Sequence, residues 1–121
     1  MKTLDRVFGC LMILGGVGHG MGSYKAYSDD PMALLWALSA SFAVFLLAAM
    51  NLLRAGRKGD HALAWISFAG CLAQGGFALW FGLLIGNVFD FRPLGNLIIA
   101  LALAVFSLRS ALLPHRTSRE S

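Results

Sequence analysis

Residues 31–53, PMALLWALSASFAVFLLAAMNLL, form a run of 23 residues without a single charged side chain. A helix of about 20 apolar residues spans the roughly 30 Å hydrocarbon layer of a bilayer. No water reaches that depth, so the backbone must satisfy its own hydrogen bonds, and a helix does so within one segment. The run also carries its own start signal. Asp30 can accept from the exposed backbone donors of the first turn, and Pro31 fits the first helical position. Ser39 and Ser41 can bond back to their own helix. Asn51 lies one turn from the far end and reads as interfacial, and Arg54 just beyond it suits the negative end of the helix dipole.

Working outward, three further apolar segments follow the same logic. The expected helices are about 5–24, 31–53, 61–86 and 93–113. Asp60 is the expected cap of the third, and Pro93 is expected to open the fourth. The chain is 58% hydrophobic and 13% charged, far from the balance of a soluble domain. These features predict an all-α integral membrane protein, a four-transmembrane-helix antiparallel bundle over 1–113, with a polar tail over 114–121 beginning at Pro114. Lys2 and Arg6 before an apolar stretch are reminiscent of a signal peptide, but with three spans after it the first segment reads as an uncleaved helix.

Charge fixes the expected orientation. Lys2, Arg6, Arg54, Arg57, Lys58, Arg109, Arg116 and Arg119 fall on one side of such a bundle, and only Lys25 and Arg92 on the other. The positive-inside rule then puts both termini in the cytoplasm and the chain in the inner (plasma) membrane. Because the basic residues sit between apolar runs, the net charge of +4 points to a lipid surface rather than nucleic acid.

The first segment holds the chemistry. Gly15-Gly16-Val17-Gly18-His19-Gly20-Met21-Gly22-Ser23 places five glycines around a histidine. Gly16 with Gly20, and Gly18 with Gly22, are small-x-x-x-small pairs that allow close helix approach; Gly75-Gly76 is expected to mark a close crossing or a kink in the third helix. His19 lies about 18 Å from Val7 along a helix, within the hydrocarbon. There it is expected in a gap that the glycines leave, as the only ionisable group at depth, with every acidic residue in a loop, a cap or the tail. His19, Ser23, Gln74 and Asn96 are the residues that could line a polar pathway or bind a ligand.

Catalytic and metal chemistry find no support. Gly15–Gly22 lacks the lysine and the strand of a phosphate loop. His19, His61 and His115 are far apart, and Cys10 and Cys71 lack metal-type spacing and read as small buried hydrophobes. A haem would need a second ligand at the depth of His19, so no cofactor is expected.

Gly15-x-x-x-His19, the acidic turn before Pro31 and the basic loop from Arg54 to Lys58 together resemble the small bacterial four-helix membrane proteins of the DoxX-like type. The resemblance covers the chain in outline and implies the four-helix layout without a particular activity. Two roles follow from the residues. One is an accessory or interaction protein that assembles, as a homo-oligomer or on a membrane-protein partner, through glycine-lined helix faces. The other is a small-solute transporter or channel past His19, Gln74 and Asn96.

Overall fold

A computed structural model describes residues 2–57 and 59–113. Met1, Lys58 and the expected tail, with Pro114, His115, Arg116, Arg119 and Glu120, lie outside the described residues. The described chain is all-helical: α1 Lys2–Tyr27, α2 Pro31–Gly56, α3 His61–Leu84 and α4 Phe91–Leu112. Each of the four is long and apolar enough to cross a membrane, the mark of a multi-pass membrane protein.

The helix starts follow local chemistry. Asp30 accepts from Ala33 N at 3.2 Å with Pro31 next in line, and Asp60 accepts from Leu63 N at 3.1 Å. The fourth helix departs from expectation. Asp90, accepting from Arg92 N at 3.0 Å, caps it, so Phe91 rather than Pro93 opens it. Pro93 is still tolerated, because the first turn has no intrahelical partner for the missing N–H. At the end of α3, Asn87 N donates to Gly82 O at 3.0 Å and Gly86 N to Leu83 O at 3.2 Å. This closing motif needs a left-handed residue, and Gly86 supplies it with φ of 78°.

The helices pack as two hairpins, α1 on α2 and α3 on α4, with lesser contact of α1 on α4 and α2 on α3. No approach joins α1 to α3 among the described residues. Residue numbers rise along α1 while they fall along α2: Asp5 meets Arg54, a Cβ at Gly9 would strike Leu52, one at Gly16 would strike Phe45, and Gly20 faces Ser41. The core is a seam of Met12, Val44, Leu47, Ala48, Cys71, Ala100, Leu103 and Ala104, flanked by a ring contact of Phe8 with Phe106 at 6.2 Å. Large side chains elsewhere are mostly exposed, as lipid-facing surfaces are.

Candidate functional site

The core seam turns polar at one end. On α1, Asp5, Gly9, Met12 and Gly16 are buried at steps of four, three and four residues, one helical stripe. On α2 the buried stripe runs Val44, Leu47, Ala48, Asn51, Arg54 and Ala55, and on α4 Ala100, Leu103, Ala104, Ser107 and Ala111. Where these stripes converge with Cys71 of α3, the side chains are Asp5, Asn51, Arg54, Cys71 and Ser107, with Ser110 at the margin.

Arg54 is the centre. Its Nη1 donates to Asp5 Oδ2 at 2.7 Å and its Nη2 to Asp5 Oδ1 at 2.6 Å, a two-pronged ion pair. The arginine side chain is fully buried and the aspartate 10% exposed. Nη1 also donates to Ser110 Oγ at 3.1 Å, and Nη2 to Asn51 Oδ1 at 3.1 Å. Asn51 extends the network. Its Oδ1 accepts from Ser107 Oγ at 3.1 Å, and its Nδ2 donates to Leu47 O at 2.9 Å and to Cys71 Sγ at 3.3 Å. All four helices thus give a side chain to one connected cluster.

The physical logic is compensation. A buried charge costs several kcal/mol unless paired and hydrogen-bonded. The planar guanidinium matches a carboxylate in two parallel bonds, which a lysine could not do. Asn51 and Ser110 occupy its remaining terminal donors, and only Nε lacks a protein acceptor among the described residues. Gly9 allows this approach. A Cβ there would lie 2.6 Å from Leu52 Cδ2, so a side chain at this position, one turn from Asp5, would require Leu52 to shift.

This cluster corrects the reading of several residues. Asp5 is not in a loop, a cap or the tail but buried in the first turn of α1, Arg54 does more than complement a dipole, and Asn51 is core rather than interface. Cys71 is buried as expected, yet it touches Asn51. The signal was present in the stripe: Asp5 continues the spacing of Gly9, Met12 and Gly16, and Asn51 and Arg54 continue that of Val44, Leu47 and Ala48.

The residues singled out around His19 are not gathered in the same way. His19 itself is exposed, which overturns the expected burial in a gap inside the bundle. Ser23, one turn on, is buried. Gln74 is half-buried on α3, a helix that α1 does not touch. Asn96 is half-buried on α4, donates to Arg92 O at 2.8 Å, and places its Oδ1 3.3 Å from where a Cβ of Gly15 would stand. The glycines divide as well. Gly16 and Gly20 face α2, and Gly75 faces Leu97 and Ala100 of α4. A Cβ at Gly18, Gly22 or Gly76 would meet nothing within 4 Å among the described residues. Gly18 sits two residues from both Gly16 and Gly20, which turns it to the opposite side of the helix. Close approaches that the sequence reading did not single out fall at Gly9, at Gly70 against Leu47, and at Gly82 against Val88.

No group of three or more metal-ligating side chains forms among the described residues. Comparison of the chain with protein-family models, with curated proteins and with solved structures gives no match.

Proposed function

We propose that the chain is an accessory or interaction protein of the inner (plasma) membrane, an antiparallel four-helix bundle with both termini cytoplasmic, which assembles laterally through uncovered glycine-lined helix faces. The observation that carries this reading is how the polar side chains are used. The buried cluster is spent on joining helices to one another, with Arg54 bonded to α1 and α4 and Asn51 to α3 and α4. Meanwhile Gly18 and Gly22, one helical turn apart, have open space opposite them. His19 lies between them in sequence, exposed, with no hydrogen bond or ion pair among the described residues. A polar ring at hydrocarbon depth gains from a partner, and a helix crossing at a small-residue pair brings one close. The orientation rests on charge. Among the described residues the end with Arg54 carries five basic against two acidic groups, and the end with the 28–30 and 85–90 turns carries two against three.

The test is association in a bilayer. Fluorescence transfer between differently labelled copies in vesicles, together with capture of membrane partners after gentle extraction, should report contact for the natural chain. Gly18→Leu and Gly22→Leu should lower that signal several-fold while helix content stays the same. Undiminished association in both variants would reject this face as the assembly surface.

A further inference from the structure

At the Arg54 end of the seam, two enclosed polar atoms have no hydrogen-bond partner among the described residues: Arg54 Nε and Ser67 Oγ. Both side chains are fully buried. An enclosed donor left unpaired forfeits the bond it would make in water, so such atoms are rare in native proteins and call for a cause. Ser67 differs from other helical serines of this chain. Ser39 and Ser110 give their hydroxyls to the carbonyls four residues back, Leu35 O at 2.8 Å and Phe106 O at 3.0 Å. Ser67 makes no such bond to Leu63 O.

The two atoms face one place. The N–H groups of a guanidinium lie in one plane in a fixed fork, and Nε–H runs parallel to one N–H of Nη2 on the same edge. Nη2 donates to Asp5 on one side and to Asn51 Oδ1, at 3.1 Å, on the other. Nε–H therefore points to the side of the cluster where Asn51 lies. Asn51 Oδ1 cannot serve it, because its two lone pairs already accept from Arg54 Nη2 and Ser107 Oγ. Asn51 also touches Cys71 of α3 at 3.3 Å. From that contact Arg54 lies three residues on along α2, and Ser67 four residues back along α3, each about one turn nearer the link from Gly56 to His61. Arg54 and Ser67 thus stand at one level of neighbouring helices. The buried stripes around them carry small side chains, Ala64 and Cys71 on α3, Ser107 and Ala111 on α4. Polar partners among small residues are what a buried water requires.

We infer that the Arg54 cluster is a binding site for a single water molecule, which accepts from Arg54 Nε–H and bonds to Ser67 Oγ. The ligand is neutral, because Asp5 already balances the guanidinium. Through it Arg54 is tied to all three other helices: to α1 by Asp5, to α4 by Ser110, and to α3 by the water and Ser67. A high-resolution crystal structure of the natural chain in a lipidic phase should show a density peak within hydrogen-bond distance of both atoms. Radiolytic footprinting of the chain in nanodiscs gives a second reading, since X-rays generate hydroxyl radicals from bound water in place. Cys71 and Met12 are both buried sulfur side chains of the seam. With each rate divided by its intrinsic reactivity, Cys71 should be oxidised several-fold faster than Met12. Ser67→Ala removes one of the water's partners and should abolish most of that excess, with circular dichroism and a monodisperse elution profile establishing that the variant is folded. If it does not fold, the density peak in the natural chain decides alone. A density map with Arg54 Nε bonded directly to a protein acceptor or with no peak between the two atoms, Cys71 oxidised no faster than Met12, or an undiminished excess in folded Ser67→Ala would each overturn the assignment.

Discussion

The two ends of the molecule solve the problem of polar groups in a bilayer differently. At the Arg54 end the charge is turned inward, and Asp5, Asn51 and Ser110 meet it, with Ser107 bonded to Asn51 behind them. At the other end His19 is turned outward and has no such company. The difference lies in what the neighbouring stripe contains. Around Arg54 every helix places a small or polar residue on the seam: Gly9 on α1, Cys71 on α3, Ser107 on α4. The helices can then approach until side chains bond across. Around His19 the glycines are split between faces of α1: Gly16 and Gly20 have α2 against them, Gly15 meets Asn96 of α4, and Gly18 and Gly22 meet nothing among the described residues. Small residues bring helices together only when they share a stripe.

The comparison breaks first at Arg54. Arg54→Ala strands the Asp5 carboxylate in the core, and losing one partner of a buried pair costs about 3–5 kcal/mol. Unfolding in mixed micelles by sodium dodecyl sulfate should show a loss of that size. Asp5→Leu/Arg54→Leu should recover most of it, because apolar replacement of both partners is often neutral. A double variant as unstable as Arg54→Ala would mean that the guanidinium matters through Asn51 and Ser110 rather than through the ion pair.

Next in size is glycine against glycine. Gly9→Val drives a side chain into Leu52, already 2.6 Å from the Cβ position, and overpacking of this kind costs about 1–3 kcal/mol. Gly18→Val meets open space and should stay within about 0.5 kcal/mol of the natural chain. Equal losses at the two positions would remove the distinction between seam and surface glycines. His19→Ala belongs with Gly18→Val. If the imidazole has no partner inside the chain, unfolding should shift by less than about 0.5 kcal/mol, and a loss above 2 kcal/mol would place it in an intrachain bond after all.

How legible each end was follows from the same contrast. The spans could be read because uninterrupted apolar length decides them, as in residues 31–53. Asp30 and Asp60 could be read as caps because each stands directly before an apolar run. The Arg54 cluster was harder. Asp5 and Arg54 each lie within a turn or so of a helix end, where a charge ordinarily faces headgroups and water. They are 49 residues apart in sequence, and only the pairing of α1 with α2 brings them together. His19 drew attention for the opposite reason. It stands alone at depth, and depth along a helix axis says nothing about which way around the axis a side chain points. The stripe decides that, and for Asp5 it was written in the spacing to Gly9, Met12 and Gly16.

The smallest effect belongs to a charge pair outside the bundle core, at Asp90. The Arg92 side chain bonds to its carboxylate, at 3.1 and 3.4 Å, and the Arg92 backbone N–H adds a third bond at 3.0 Å. Arg92 thereby holds the Asp90 carboxyl below the usual carboxylate range, first through its side-chain bonds and then through its backbone. A folded-state pKa below the unfolded value fixes the sign. The contribution is fully present above the unfolded value and is lost as pH falls through the depressed folded value. Acidification should therefore fray the first turn of α4, readable as faster amide exchange at Leu94, whose N–H bonds to Asp90 O at 3.0 Å. Asp90→Asn keeps a good cap without the charge, so it should abolish that pH step and leave the turn formed. An acid step that persists in Asp90→Asn would assign it to another carboxylate.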